Sequence, residues 1–199
     1  MGAGIEAYAL SMVADAGQRH DFSPPDPSLS DGRLRLRLPV ANDEPVVFEA
    51  CQDPEIQRWV PVPVPYQREH AHEWVTETER GWSEGSHGAL AIADASDDRF
   101  LGAIGLSPIE HRVSIGYWVV PAERGRGVAT DAVRLLGRWV LLWLGYPRLE
   151  LYHFIGNDPS GRVAVKAGFK REGMLRLYAD MRGEARDCVM YSRLASDVE

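Results

Sequence analysis

The sequence predicts one mixed β-sheet with helices packed against it, in an α+β or α/β domain, and three observations lead to that expectation. About seven short stretches have strand character, some joined by turns and others by helical segments, and this combination calls for both antiparallel and parallel neighbours. Of the 199 residues 45% are apolar, which lets a single domain bury a core without disulfides or metal. No internal repeat or low-complexity tract divides the chain.

In chain order, residues 1–30 contain Gly17, Pro24, Pro25 and Pro27 with little periodicity and read as an N-terminal arm with one short helical turn, leaving 31–199 as the domain. Arg33-Leu34-Arg35-Leu36-Arg37-Leu38 alternates strictly, so the leucines share one face of a strand and the arginines line a solvated face. A helical stretch from Glu44 to Cys51 follows. Alternate prolines then hold Trp59 to Pro65 in an extended loop. A second helix is expected from Gln67 to Gly81. His87 to Ala93 and Phe100 to Ser107 form a hairpin about the turn Asp94 to Arg99, and Val113 to Val120 is a strand that Pro121 stops. From Val128 the period becomes helical, with Val128, Ala132, Leu135, Leu136, Trp139 and Leu142 on one face, until Gly145 and Pro147. Arg148 to Phe154 reads as strand, Pro159 to Ala167 as helix, and Phe169 to Leu177 and Asp187 to Leu194 as a closing pair of strands.

Composition removes several classes of function. Cys51 and Cys188 are the only cysteines and lack ligand-like spacing, so neither a disulfide framework nor a zinc site is expected, and a reducing, cytoplasmic setting is. No run approaches the roughly 18 consecutive apolar residues of a membrane span. Met1-Gly2 resembles a myristoylation start, but Glu6 stands where Ser or Thr is needed. The net charge of −7 disfavours phosphate neutralisation, so nucleic acid is not an expected partner, whereas a cationic substrate suits it.

The strand Ser114-Ile115-Gly116-Tyr117-Trp118-Val119-Val120 leads through Pro121-Ala122-Glu123 into Arg124-Gly125-Arg126-Gly127-Val128-Ala129-Thr130 and an amphipathic helix. A glycine-rich turn at a helix N-terminus presents unpaired N–H groups at the positive end of the helix dipole, a cradle for phosphate. Gly125 and Gly127 admit close approach of an anion, and Arg124 and Arg126 can add charged donors. A tight turn whose glycines only permit positive φ is the competing reading. There is no Gly-Lys-Ser/Thr for a triphosphate loop and no third glycine for a dinucleotide fingerprint.

Arg124-x-x-Gly127-x-Ala129 between such a strand and helix resembles the CoA-diphosphate signature of the GNAT superfamily of N-acetyltransferases. Ile115-Gly116-Tyr117-Trp118, Asn157-x-x-Ser160, Lys166-Ala167-Gly168-Phe169, Glu172-Gly173, Asp187 to Ser192 and the Pro-rich stretch ending at Tyr66 are similar to the branch containing the ribosomal-protein acetyltransferases RimJ and RimL. The resemblance spans about Arg33 to Leu194. It implies a twisted central sheet, splayed where CoA enters, and direct transfer from acetyl-CoA to a primary amine with no metal. It further implies that the backbone of Trp118, Val119 and Val120 pairs with pantetheine amides, that Asn157 bonds the pantetheine arm, and that Ser160 serves the departing sulfur. A backbone N–H near Val119 would polarise the thioester carbonyl. Tyr117 and Trp118 either line the acceptor side or simply pack, and Asn157 and Ser160 have a helix-cap role as their alternative. Tyr178 stands in reserve as an acid.

Many relatives have a carboxylate at the position of Ser114, so no carboxylate base is expected there. Glu110, Glu172, Asp187, His111 and His153 remain as candidates. An α-amine, with a pKa of about 7.7 to 8.0 against about 10.4 for lysine, needs the least help, which makes a protein or peptide N-terminus the expected acceptor. A small-molecule amine is the alternative acceptor, and a CoA-binding module without turnover the alternative class. The expected state is monomer or homodimer.

Overall fold

In a computed structural model the described residues are 21–198. Residues 1–20 of the expected arm, with the Met1-Gly2 start, lie outside them. The elements run β1 (Leu29–Ser30), β2 (Leu34–Arg37), α1 (Glu44–Ala50), α2 (Pro54–Trp59), α3 (Arg68–Glu84), β3 (Gly88–Asp94), β4 (Phe100–Ile109), β5 (Arg112–Val119), α4 (Val128–Leu142), β6 (Arg148–Phe154), α5 (Asp158–Lys166), β7 (Lys170–Met181) and β8 (Glu184–Leu194). They build one sheet in the order β1-β2-β3-β4-β5-β6-β8-β7. Only β5 and β6 are parallel, because α4 carries the chain across the sheet between them.

The sheet therefore has eight strands where seven are expected. The extra one, β1, lies in the segment read as arm and pairs Leu29 with Leu36. The helix α2 also falls between expected elements, although its start is written locally. Asp53 accepts the Ile56 N–H at 3.0 Å and Pro54 occupies the first turn, an N-cap followed by proline.

Both faces of the sheet are covered, but unequally. Against one face α4 and α5 pack, with Leu34, Leu36, Ile104, Val113, Leu136, Leu149 and Leu151 in the main core. The other face carries α1, α2 and α3 over β3, β4 and the end of β5, through Val47, Ile56, Ala71, Ala91 and Ala103. Over β6, β8 and β7 that second face is lined by Phe154, Ala179, Met181 and Cys188, joined from α2 by Trp59. A groove of about 680 Å³ opens there, bordered by Arg112, Arg148, Glu150, Glu172, Tyr178 and Met190.

The arginines of β2 are not merely solvated, as the alternation suggests. Arg37 forks onto Asp43 at 2.8 and 3.0 Å and Arg35 reaches Asp98 at 3.5 Å. Alternation gives the face of a strand but not the charges that neighbouring turns bring to it.

Candidate functional site

The parallel register between β5 and β6 covers only Arg112 to Ile115 against Arg148 to Leu151. Beyond it the strands part. Gly116 to Val119 keep β4 as a neighbour and Tyr152 to Phe154 keep β8, so each strand presents a free edge to the gap between them. Val120 donates its N–H to Leu101 C=O at 2.9 Å, facing β4. Since paired residues of an antiparallel ladder alternate in hydrogen bonding, Tyr117 and Val119 turn their N–H and C=O towards the gap, and Trp118 turns its own to β4. The Val120 carbonyl accepts from Glu123 N–H at 2.8 Å. Of the three residues expected to pair there, Val119 thus has its amide free in the gap, while those of Trp118 and Val120 are turned away.

The turn after β5 ends at the gap. Gly125 and Gly127 have φ of 76° and 83°, and Gly127 is the N-cap residue of α4. The first helical bond runs from Asp131 N–H to Gly127 C=O at 3.0 Å, so among the described residues no backbone acceptor meets the N–H groups from Gly125 to Thr130. Val128 and Thr130 are buried and Ala129 is half-buried, so these three contribute backbone rather than side chain. The two loop arginines are paired with protein. Arg124 forks onto Asp53 at 2.7 and 3.4 Å, and its hydrogen bond holds the Asp53 carboxyl below its ordinary range. Arg126 reaches Glu123 at 3.2 Å, and Glu123 also accepts Arg99 at 2.6 Å, the bond that chiefly lowers its pKa.

At the other border of the gap α5 presents Ser160, whose Oγ lies 2.9 Å from Tyr117 Oη. Burial pushes the Tyr117 phenol up to about 12, against a smaller opposing effect of the Ser160 bond, so it stays protonated and can donate to Ser160. Tyr117 therefore faces α5, and Trp118 packs against Phe100 with ring centroids 5.7 Å apart. Asn157 occupies the N-cap position, with Pro159 in the first turn, although its side chain makes no cap bond, and Ser160 is the third helical residue. Tyr178 stands across the sheet against Tyr152, 5.6 Å between rings.

The candidate bases are dispersed. His153 is 5% exposed, with Nδ1 2.9 Å from Phe154 O and Nε2 3.4 Å from Tyr191 Oη, so both nitrogens are engaged within the core. Asp187 accepts the Leu177 N–H at 2.9 Å and steadies an irregularity in β7. Glu110 and His111 are exposed at the β4–β5 turn. Glu172 is gripped by both terminal nitrogens of Arg148, at 2.8 and 2.5 Å, and by Ser192 at 2.7 Å, and the Arg148 bond takes its pKa down to about 2.

Sequence reasoning passed over Glu150. It is 6% exposed, pairs in register with Ser114, and so places a carboxylate one strand away from that serine. Its two oxygens accept Arg148 Nε at 2.7 Å and Arg112 Nε at 3.1 Å. Arg-x-Glu in a strand adjoining Ser114 was the available signal, but it required the register. Among the described residues no group of three or more His, Cys, Asp or Glu side chains is placed to hold a metal.

Residues 33–170 match the family model described as Acetyltransferase (GNAT) domain. The chain is 31% identical over 138 residues to "Probable N-acetyltransferase YjcK" of Bacillus subtilis, 67% of this chain and 76% of that one. A GNAT-family acetyltransferase structure from Bacillus anthracis superposes with a TM-score of 0.75 at 21% identity, covering 85% of this chain and 99% of its own. RimL, a ribosomal-protein α-N-acetyltransferase, in complex with coenzyme A gives 0.72 at 20% identity over 83% and 96% of the two chains. The microcin C7 self-immunity acetyltransferase MccE with acetyl-CoA and AMP gives 0.73 at 19% identity over 84% and 97%.

Proposed function

The chain belongs to the GNAT acetyltransferase family and is an N-acetyltransferase of that type, and from that premise we propose that it acetylates the α-amine of a protein or peptide N-terminus, with acetyl-CoA as donor. The observation that carries the proposal is the meeting of three features at one gap. These are the free edge of β5, the unpaired N–H groups of 125–130 and the Tyr117–Ser160 hydroxyl pair.

In this reading the loop amides hold the diphosphate, the gap edge pairs with the pantetheine arm, and Asn157 bonds the same arm. The Val119 N–H points at the thioester oxygen and stabilises it as negative charge develops. The neutral amine attacks the acetyl carbon, the C–S bond breaks, and the thiolate takes the Ser160 hydroxyl proton while Tyr117 replaces it. The amine gives its surplus proton to water, and water returns one to Tyr117, so that the net proton transfer runs from amine to thiolate and both hydroxyls end protonated. Glu150 and Glu172, held by arginines, serve as fixed charge near the groove rather than as free bases. An amine that is already partly neutral is then the suitable acceptor. The likeness in fold to RimL, an α-N-protein acetyltransferase, supports that choice.

The groove's volume, about 680 Å³, also lies in the range of small-molecule sites, and MccE has the same fold. A small-molecule amine is therefore the second reading. The deciding experiment offers a peptide with a free N-terminus and an internal lysine beside a panel of small amines, and follows CoA release and the acetylated position by fragmentation mass spectrometry. Acetylation at the N-terminus is expected. Dominant lysine acetylation, or turnover confined to the small amines, would overturn the proposed acceptor.

A further inference from the structure

We propose that Arg33, at the entry to β2, is a positioning residue for the diphosphate-binding loop. The inference rests on the reading above that this loop receives the diphosphate of acetyl-CoA. Arg33 lies 93 residues from Arg126 in sequence, yet its Nη2 donates to the Arg126 carbonyl at 2.5 Å. Its Nη1 is bound to Asp131 in the first turn of α4. Both groups close over Gly127, where a Cβ would stand 3.6 Å from Arg33 Nη1 and 3.6 Å from Asp131 Oδ2.

Two physical consequences follow. In a trans peptide the C=O and the next N–H point in opposite directions. By holding the Arg126 carbonyl on its own side, Arg33 aims the Gly127 N–H away from itself, into the cradle, and keeps the carbonyl's negative end from facing an anion. The second consequence concerns charge. Asp131 at the positive end of α4 suits the helix dipole when the site is empty but opposes an incoming diphosphate. A guanidinium on that carboxylate offsets the repulsion. Arg33 would thus act through the loop backbone and through Asp131, without touching the acyl group. A surface ion pair that only stabilised the fold would contribute little and would not distinguish between donors.

The experiment compares wild type with Arg33→Met and Arg33→Lys, using acetyl-CoA and S-acetyl-pantetheine, which lacks the diphosphate. For Arg33→Met the KM for acetyl-CoA is expected to rise about tenfold with little change in kcat, since the lost bonds belong to binding. The ratio of kcat/KM for acetyl-CoA to that for acetyl-pantetheine should fall by the same factor. Arg33→Lys restores the charge but not the forked geometry and should recover part of the loss. An unchanged ratio, or equal losses with both donors, overturns the inference, and thermal unfolding of each variant separates either result from misfolding. Absence of acetyl-CoA binding by the wild type would instead overturn the proposed function.

Discussion

At Gly127 the backbone has φ of 83°, so any side chain there is strained, and its Cβ would stand 3.6 Å from Arg33 Nη1 and from Asp131 Oδ2, the pair that braces the loop. Gly127→Glu adds a negative charge as well. CoA affinity measured by calorimetry is expected to fall about a hundredfold, the worth of one or two charge-assisted bonds. Ser160 and Tyr117 form a different kind of pair, because a bond to departing sulfur strengthens as charge develops. Ser160→Ala should lower kcat about tenfold to a hundredfold while leaving CoA affinity nearly intact. Tyr117→Phe removes only the second hydrogen bond of the relay and should cost up to about tenfold in kcat. Turnover unchanged by both substitutions at saturating substrate would exclude the relay. Of these residues, Gly127 is marked in the sequence by the glycine-rich loop, and Ser160 only by the family resemblance of Asn157-x-x-Ser160. The role of Tyr117 is not, since Ile-Gly-Tyr-Trp gives no indication that the phenol points at α5 and the indole at the opposite face.

Among the elements, α5 is closely seated on the sheet. A Cβ on Gly161 would lie 2.8 Å from both His153 Nε2 and Tyr191 Oη, so the helix rests on β6 and β8 at the residue following Ser160. Gly161→Ala therefore forces either these two side chains or α5 to move, and displacement of α5 would carry the Ser160 hydroxyl away from Tyr117. A loss of about 1 to 3 kcal/mol of stability is expected by chemical denaturation, as for an overpacked core. Turnover should fall together with it. Native stability in that variant would show that α5 accommodates the methyl group by sliding. The order and type of the long elements follow from periodicity, but α2 and β1 do not. The first is too short to show a period, and the second exists only because Leu29 and Ser30 meet β2.

For the whole molecule, the groove over β6, β8 and β7 is bordered by carboxylates and arginines from β5, β6 and β7, with Ser192 of β8 bonded to Glu172. Glu172 there has a folded-state pKa of about 2, set chiefly by Arg148, against about 4.3 for an unperturbed glutamate. A depressed carboxylate contributes its stability above the unfolded value, and that contribution disappears as pH falls from about 4.3 towards 2. In wild type the unfolding midpoint should drop across this window. Glu172→Gln, which cannot titrate, should show a shallower fall, and parallel curves for the two proteins would show that the pair does not govern acid stability. The sequence by itself determined the sheet-and-helix class and the loop 124–130 with its helix, because each is written in contiguous residues with a local physical signature. Only the tertiary structure decided that β5 and β6 part after Ile115, that Val119 turns its amide into the gap while Trp118 and Val120 do not, that Glu150 stands across from Ser114, and that Arg33 reaches the loop. Those facts depend on strand register and on contacts between residues up to nearly a hundred positions apart, and local patterning contains neither.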